Sequence, residues 1–384
     1  MRTIGVVTGA RSDYGLLRPV LERIESDPAL ELRLYVSGMH LSREYGHTVD
    51  EIEADGRQIA ERVPVLEFGD EPAGIAKAMG TGTIGFAEVF DRARPDVLLL
   101  LGDRFETHAA AVAAVPFVLP VAHIHGGEST EGLIDEALRH SITKLSHLHF
   151  AATEEYARRI IQLGEEPWRV EVTGAPGLDA IAASAPLDAV ELTRRYRVDL
   201  DEPTLLVTYH PVTLEYEHVR ERVGELLAAL DESGHHVVFT YPNADTGSTG
   251  VLDLIGRFVE RSERATLVTN LGSDAYFSFM RRARAMVGNS SSGIIEAASF
   301  ELPVVNVGAR QQGRIHGENV IDVPERRDEI LAAIRRATSD EFRRAIDGLR
   351  NPYGDGHASE RIVAKLRDVP LDGRLLVKRF HEVR

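Results

Sequence analysis

The fold class is indicated by the stretch Ile4-Gly5-Val6-Val7-Thr8-Gly9-Ala10-Arg11-Ser12-Asp13-Tyr14-Gly15, which lies near the start of a 384-residue chain. Its first five residues form the short apolar run that is typical of a buried strand. A glycine turn follows, and a helical pattern then runs over Leu16–Ile24. A strand, a turn and a helix in this order begin a βαβ unit, from which parallel sheets are built.

The same order recurs along the chain, so the sequence predicts an α/β protein with two Rossmann-like, doubly wound parallel sheets. A stretch of Gly, Pro, Ala and Ser over Gly174–Pro186 is interpreted as a linker. The predicted domains are residues 1–180 and 187–357, followed by a helix and a basic tail over 358–384. A ligand cleft is expected between the sheets, at the C-terminal ends of their strands.

The individual elements are predicted from the same pattern. Strands are predicted at Ile4–Thr8, Leu32–Ser37, Val97–Leu101, Val118–Ile124, Val170–Val172, Leu205–Thr208, Val237–Tyr241, Thr266–Thr269, Ala285–Gly288 and Val304–Val307. Further helices are predicted at Gly74–Arg92, His108–Val115, Glu154–Leu163 and Ala358–Arg367.

Composition excludes several classes of function. The net charge of −16 argues against broad binding to nucleic acid or to anionic membranes, which usually requires a basic surface. The chain has no cysteine, which removes disulfides, thiolate metal sites and cysteine nucleophiles. No run reaches the roughly 18–20 apolar residues of a membrane span, and a strand pattern begins at once without room for a signal peptide. A cytoplasmic location is therefore predicted.

Two turns between a strand and a helix offer backbone N–H groups to an anion. In the first turn Arg11 adds a forked donor for phosphate. The second turn is Gly288-Asn289-Ser290-Ser291-Ser292-Gly293, whose serines can cap a helix and also bind a diphosphate. Glu296, which follows it, can accept hydrogen bonds from both hydroxyls of a ribose. The structural alternatives are an ordinary strand–helix turn in the first case, and serine capping with a dipole-matched glutamate in the second.

Carboxylates concentrate at the ends of the predicted strands in the first domain. Asp103 and Arg104 follow a run of apolar residues, and Glu128 and Asp135 follow the next strand along the chain. Carboxylates that converge on one cleft are suited to general acid–base catalysis. The structural alternative for Asp135 is an N-cap.

The pair His123 and His125 is expected on one face of a strand, because side chains alternate with a period of two. With Glu128 this pair could hold a metal ion, but such pairs are more often hydrogen-bonded and structural, and a helical HExxH is absent. No metal site is therefore predicted. In the second domain His210 and Asn243 each follow a strand and stand next to a proline, which fixes a turn and presents the polar side chain toward a ligand.

Seven motifs in order resemble the hydrolysing UDP-N-acetylglucosamine 2-epimerases of the sialic-acid and related nonulosonic-acid pathways. The Arg-x-Asp-Tyr form of the first motif is similar to the hydrolysing branch. The seven motifs are residues 9–14, 102–106, 123–128, 139–147, 210–213, 241–245 and 288–293 with 308–314, and together they extend over most of the chain.

The resemblance implies a GT-B fold of two Rossmann-like domains, with the sugar and catalytic carboxylates on the first and UDP on the second. It implies anti elimination of UDP with loss of the C2 proton to give a 2-acetamidoglucal. Addition of water then yields the free manno-configured sugar, N-acetylmannosamine if the substrate is UDP-N-acetylglucosamine. The family requires no metal or redox cofactor, and the resemblance makes a homo-oligomer, a dimer or tetramer, plausible.

Matching positions imply roles for individual residues. Proton transfer is assigned to Asp103, Glu128 and Asp135, and positive charge near the departing diphosphate to Arg11 and Arg104. Some family members have glutamate at the position of His125, which leaves the role of that residue open. The predicted catalytic residues are thus Asp103, Glu128, Asp135 and His210, and the predicted substrate-binding residues are Arg11, Asp13, Arg104, His125, Asn243, Ser290, Ser291, Glu296 and Arg310.

Three alternatives remain open at this point. The substrate could be a UDP- or GDP-linked 2,4-diacetamido-2,4,6-trideoxyhexose of a legionaminic-type pathway. Its 4- and 6-substituents would then be recognised by loops such as 130–133 and 39–47. The protein could instead be a GT-B glycosyltransferase that uses a UDP-sugar donor. A non-catalytic nucleotide-sugar binder is the third alternative, and the carboxylates Asp103 and Asp135 argue against it.

Overall fold

A computed structural model describes residues 1–43, 46–65, 72–130, 134–198, 202–210, 219–240, 248–268 and 271–383 of the chain. The chain divides into two compact units. The first contains Met1–Glu128, Ile134–Ala180 and Tyr353–Arg384, and the second contains Ser129–Leu133 and Ile181–Pro352.

Each unit is built on a parallel sheet, and every strand pair in the described ranges is parallel. The first sheet has the order β3-β2-β1-β4-β5-β6-β7 and the second β10-β9-β8-β11-β12-β13. The strands are β1 (Arg2–Thr8), β2 (Leu30–Ser37), β3 (Ile59–Val63), β4 (Val97–Leu101), β5 (Val121–Ile124), β6 (Leu148–Ala151), β7 (Val170–Val172), β8 (Thr204–Thr208), β9 (His236–Thr240), β10 (Ala265–Val268), β11 (Ala285–Gly288), β12 (Val304–Val307) and β13 (Val320–Val323).

Helices connect these strands. Short 3₁₀ helices also occur in the described ranges, at Gly38–Leu41, Pro167–Arg169 and Ala297–Phe300. The α-helices are α1 (Arg11–Ser26), α2 (Val49–Ala54), α3 (Pro72–Ala93), α4 (Phe105–Ala114), α5 (Ile134–Leu145), α6 (Glu154–Gln162), α7 (Gly177–Ala183), α8 (Ala189–Tyr196), α9 (Val219–Ser233), α10 (Ser248–Arg261), α11 (Gly272–Arg282), α12 (Ser291–Ile295), α13 (Arg327–Ala337), α14 (Asp340–Ala345), α15 (Ala358–Asp368) and α16 (Gly373–Leu376). Within the described ranges, no helix is both long and apolar enough to cross a bilayer.

The sequence of β4 explains why both faces of the first sheet are covered. All five of its residues are apolar and buried, as expected for a central parallel strand between two helical layers. Leu99 and Leu101 belong to one hydrophobic core, whereas Leu98 and Leu100 belong to another on the opposite face. The core that contains Leu99 also contains side chains of α15, so the C-terminal residues help to cover the first sheet.

The order of strands in the first sheet reverses between β1 and β4, which are neighbours. In open parallel sheets such a switch point, at the C-terminal ends of the strands, is where ligands usually bind. Asp13 lies in the first turn of α1, the helix that follows β1, and the turn after β4 contains Asp103 and Arg104. The chain therefore brings two of the predicted motifs to one edge of the sheet.

The predicted α/β class with two parallel sheets is confirmed. The sequence does not predict the strands at Ile59–Val63, Leu148–Ala151 and Val320–Val323, each of which has a charged or histidine side chain within its apolar run. The stretch interpreted as a linker contains helix α7. The predicted domain boundaries and the cleft remain predictions.

Candidate functional site

Asp13 lies in the first turn of α1, where burial of its carboxylate raises its pKa. Its exposed fraction is 9%. The oxygen Oδ2 has no hydrogen-bond partner among the described residues, and Nε of Arg104 lies 3.6 Å from it. Burial raises the pKa of Asp13 to about 6, against the opposing charge of Arg104 and with help from the charges of Glu106 and Asp103. The carboxylate of Asp13 is therefore protonated more readily than that of an ordinary aspartate.

Arg104 is held by a buried carboxylate. Its Nε and Nη2 donate to the two oxygens of Glu106, at 3.2 and 3.0 Å, and Glu106 is fully buried. Burial alone would lower the pKa of Arg104, but Glu106, Asp13 and Asp103 outweigh it and the pKa is raised. Gly38 has a φ of +59°, and a Cβ there would collide with Oε1 of Glu106. The guanidinium is thus a fixed positive charge at the switch point.

Arg139, on α5, connects two of the predicted catalytic residues. Its Nη2 is ion-paired with Oδ2 of Asp103, and its Nη1 donates to the backbone carbonyl of Glu128 at 3.1 Å. The same Nη1 contacts Oε2 of Glu136 at 3.2 Å. The side chain of Arg139 is only 1% exposed. A buried guanidinium with three partners fixes the loop after β4 relative to the loop after β5.

His125 and Glu128 form a close pair after β5. Nδ1 of His125 lies 2.5 Å from Oε1 of Glu128, and both residues are buried. His125 has a φ of +64°, which is left-handed and ends the strand at Ile124. His123 remains in the strand, where Nε2 contacts the carbonyl of Gly102 at 2.7 Å and Nδ1 contacts the Thr143 hydroxyl. The expectation that both histidines share one strand face is therefore wrong, because only His123 has strand geometry.

Two other predicted residues of the first unit have clear positions. Asp135 is half-buried in the first turn of α5, one residue inside the helix and not before it, so an N-cap role does not fit its position. Arg11 is the first residue of α1, with a half-exposed side chain whose Nε lies 3.2 Å from Oε2 of Glu51.

Asn289 organises the second unit. Its side-chain oxygen accepts from the backbone N–H of His210 at 2.7 Å, and its amide nitrogen donates to the backbone carbonyl of His210 at 2.8 Å. The backbone carbonyl of Asn289 accepts from Arg310 at 3.1 Å and from Gln311 at 2.8 Å. Asn289 is fully buried. It thereby brings together His210, a predicted catalytic residue, and Arg310, a predicted substrate-binding residue, at the ends of β8 and β11.

The histidine in this cluster is neutral at physiological pH. Burial lowers the pKa of His210 to about 3, and the positive charge of Arg310 adds to the effect. A neutral imidazole can donate one hydrogen bond and accept another. It is therefore suited to polar contact with a ligand more than to proton release near pH 7.

Ser290 and Ser291 lie at the start of α12. The Ser290 hydroxyl accepts from the backbone N–H of Ser292 at 3.3 Å, so Ser290 is the N-cap. Tyr276 packs beside these serines, and burial together with the nearby carboxylate of Glu296 raises the pKa of Tyr276 to about 12. The capping interpretation of this turn is confirmed for Ser290, but Glu296 is the C-cap of α12 and not in its first turn, so the dipole-matched position of Glu296 is wrong. Asn243 lies outside the described residues.

Sequence reasoning gave no role to Glu106, Arg139, Asn289 or Gln311, although all four stand inside the motifs that carry the resemblance. Their partners are distant in the sequence, and burial of a charged or amide side chain is the signal that identifies them. Among the described residues, no group of three or more His, Cys, Asp and Glu side chains could hold a metal ion.

The family model and two curated relatives that match this chain are named as 2-epimerases of nucleotide sugars. A family model described as UDP-N-acetylglucosamine 2-epimerase matches residues 22–367. The Legionella pneumophila protein named UDP-N,N'-diacetylbacillosamine 2-epimerase (hydrolyzing) is 40% identical over 378 residues, which cover 98% of this chain and 99% of that protein. The Campylobacter jejuni GDP/UDP-N,N'-diacetylbacillosamine 2-epimerase (hydrolyzing) is 36% identical over 344 residues, 89% of each chain.

The fold is also that of solved structures. The UDP-GlcNAc 2-epimerase from Neisseria meningitidis bound to UDP-GlcNAc superposes with a TM-score of 0.79 at 18% identity, over 95% of this chain and 99% of that chain. This likeness shows the GT-B-like class with two parallel-sheet domains. Because the family model and both relatives cover most of its length, the chain belongs to the hydrolysing branch of the UDP-N-acetylglucosamine 2-epimerase family.

Proposed function

We propose that this protein is a hydrolysing 2-epimerase of a UDP-linked 2,4-diacetamido-2,4,6-trideoxyhexose, which it converts to UDP and the free manno-configured sugar. The observation that supports this substrate most is the 40% identity, over 98% of the chain, to a relative named for the hydrolysing 2-epimerisation of UDP-N,N'-diacetylbacillosamine. The relative that is 36% identical is named for the same sugar on GDP or UDP.

The reaction proceeds in two halves. In the first, the C1–O bond breaks with its electrons going to UDP, and a base removes the C2 proton, which leaves a C1=C2 double bond. In the second, C2 receives a proton from the opposite face and water adds to C1. The proposed proton-transfer groups are Asp103, Glu128 and Asp135, because each follows the end of a strand in the first sheet. Arg139 contacts two of these residues, the carboxylate of Asp103 and the backbone carbonyl of Glu128.

The fixed charge of Arg104 supports departure of the diphosphate. A guanidinium that is already oriented by Glu106 needs no reorganisation as negative charge develops on the leaving group. The nucleotide is proposed to contact His210, Ser290, Ser291, Glu296 and Arg310, with Arg11 and Asn243 as further contacts.

UDP-N-acetylglucosamine is the second candidate substrate. It is favoured by the description of the family model that matches residues 22–367. The two candidates differ at C4 and C6, where one has acetamido and methyl groups and the other has hydroxyls. The homo-oligomer expected from the resemblance and the cytoplasmic location remain proposals.

Proton NMR in heavy water tests the proposal. The purified protein is incubated separately with the UDP-linked diacetamido sugar, its GDP-linked counterpart and UDP-N-acetylglucosamine at equal concentrations. We expect UDP and a free manno-configured sugar with deuterium at C2 from the diacetamido substrate, at the highest kcat/KM. A higher kcat/KM for UDP-N-acetylglucosamine would assign the enzyme to that substrate. Release of UDP with the C2 proton retained would reject epimerisation and favour a transferase or a simple hydrolase.

A further inference from the structure

The stereochemistry of the proposed reaction requires a protonated group on a particular face of the sugar. In an anti elimination the C2 proton and UDP leave from opposite faces. Inversion at C2 then requires the new proton to arrive on the face from which UDP departed. The group that delivers it must lie near the groups that stabilise the diphosphate, and it must be an acid at that moment.

Two of the three carboxylates proposed for proton transfer are held by positively charged or imidazole side chains. Asp103 is ion-paired with Arg139, and Glu128 lies 2.5 Å from Nδ1 of His125. Such partners suit groups that accept a proton.

Asp13 has a different environment. One of its oxygens has no hydrogen-bond partner among the described residues, although the residue is only 9% exposed. It follows β1, the strand next to β4 at the switch point, and it lies 3.6 Å from the Arg104 guanidinium. Asp13 is therefore beside the charge proposed to stabilise the leaving diphosphate.

We infer that Asp13 is a further catalytic residue, the acid that protonates C2 of the glucal intermediate on the face that UDP has left. This inference rests on the proposed function. The O–H bond of Asp13 breaks and the C2–H bond forms from the C1=C2 electron pair. Water then adds to C1 and gives its proton to a second carboxylate of the site.

The charged groups around Asp13 are consistent with an acid. Arg104 is the positive neighbour, whereas Glu106 and Asp103 are negative, and a backbone contact comes from Gly9. Burial is the largest influence and raises the pKa of Asp13 to about 6. A bound diphosphate adds further negative charge nearby, which favours the protonated form. An aspartate that only complements the N-terminus of α1 would gain by being ionised instead.

The partition between glucal and hydrated product tests this assignment. For Asp13→Asn we expect UDP release to persist within about tenfold of wild type while free glucal accumulates. Hydration of added glucal in the presence of UDP should fall about 100-fold or more, the usual contribution of a general acid. Asparagine has the shape of aspartate and can occupy the same space, and Asp13→Glu should restore part of the hydration.

The matched control is Asp179→Asn. Asp179 is a buried carboxylate of the same unit that accepts from the backbone N–H groups of Ala358 and Ser359, at 2.9 and 2.7 Å. Its replacement is expected to lower stability without changing the ratio of glucal to hydrated sugar.

A second measurement needs no variant. Since the protonated form is active, wild-type hydration of added glucal should slow as the pH rises above about 6. The inference is overturned if Asp13→Asn keeps the wild-type product ratio, if it slows both halves equally, or if wild-type hydration does not fall at higher pH. If the wild-type protein releases no nucleoside diphosphate from any of the three nucleotide sugars, the proposed function itself fails.

Discussion

Arg139 joins three parts of the first unit that lie far apart in the sequence. Its side chain contacts Asp103 after β4, the backbone of Glu128 after β5, and Glu136 one turn earlier on its own helix. It touches two segments with proposed catalytic groups, and its guanidinium has the fork geometry that serves several acceptors at once.

Replacing Arg139 by lysine should separate charge from geometry. The ammonium keeps the positive charge, but it is shorter and cannot serve Asp103 and the Glu128 carbonyl together. We expect kcat to fall about 10- to 100-fold, because small displacements of catalytic groups are costly. The free energy of unfolding should fall by about 1–3 kcal/mol. Steady-state UDP release and urea unfolding measure the two effects.

The control for this variant is Arg361→Lys. Arg361 also has a forked contact, with the two oxygens of Asp355 at 2.8 and 2.7 Å, but both side chains are partly exposed. Exposed pairs contribute about 0–1 kcal/mol, so stability and kcat should stay near wild type. If Arg139→Lys behaves like this control, Arg139 does not position the proposed catalytic carboxylates.

Sequence reasoning identified charged residues of the site, but it did not identify the residues with which they pair. Asp103 and Arg104 were predicted as site residues because they follow an apolar run, and both lie at the switch point. Arg139 stands 36 residues after Asp103, and no local pattern shows that its side chain is buried. Pairing across such a distance depends on the tertiary fold, which single-sequence reasoning does not provide.

The elements of the second unit meet at the ends of β8 and β11, which are neighbouring strands. Thr208 and Gly288 are paired across them, and Asn289 continues the contact by donating its backbone N–H to the carbonyl of Thr208 at 3.1 Å. The Asn289 side chain then holds both backbone groups of His210. The strand ends and the turn into α12 thus form one connected structure.

Asn289→Ala should disrupt this connection. It leaves a buried N–H and a buried carbonyl of His210 without their partner, which costs about 2–4 kcal/mol for the two groups together. We expect the Kd for UDP to rise about tenfold or more, because the histidine proposed to contact the nucleotide loses its fixed position. Isothermal titration calorimetry with UDP and chemical unfolding measure these changes.

Asn306→Ala serves as the comparison. Asn306 lies on β12 and donates to the Asp322 side chain on the neighbouring strand at 2.7 Å, without contact to His210. It should lower stability and leave UDP affinity unchanged. Equal UDP affinity in wild type and Asn289→Ala would show that the position of His210 does not matter for the nucleotide.

Strand length does not separate the strands that the sequence predicts from those that it misses, because the four-residue strands Ala285–Gly288 and Val304–Val307 are predicted with exact bounds. Val97–Leu101 was also predicted with its exact bounds, whereas Leu148–Ala151 was missed because a histidine interrupts its apolar run. The helix α7 was missed because Gly177 and the surrounding Pro and Ala residues are also typical of linkers.

The chain returns to its first unit at the end. Residues from Tyr353 onward belong to that unit. Arg169, which is fully buried, donates to the backbone carbonyls of Leu375, Arg374 and Val377, at 2.7, 2.9 and 3.1 Å. The apolar side chains that the returning segment adds to the core of the first sheet are Ile362, Val363, Leu366, Val369 and Leu375. The core of the second unit instead draws on residues between 205 and 337.

This difference predicts which fragments fold. Each of the five apolar side chains contributes about 1.5–3 kcal/mol by burial, and their sum reaches the total stability of a typical domain, about 5–15 kcal/mol. The fragment 1–180 should therefore lack cooperative unfolding when it is alone, and it should fold when 353–384 is co-expressed with it. The fragment 181–352 should fold alone, because its core residues are all present. Circular dichroism during urea titration and limited proteolysis distinguish these outcomes.

The matched control is a 353–384 segment with Ile362→Asp and Leu366→Asp. This segment should fail to restore folding of 1–180, because burying the two charged side chains in the apolar core is unfavourable. Cooperative unfolding of 1–180 by itself would mean that the returning segment is an accessory to the first unit, and the burial argument would then be wrong.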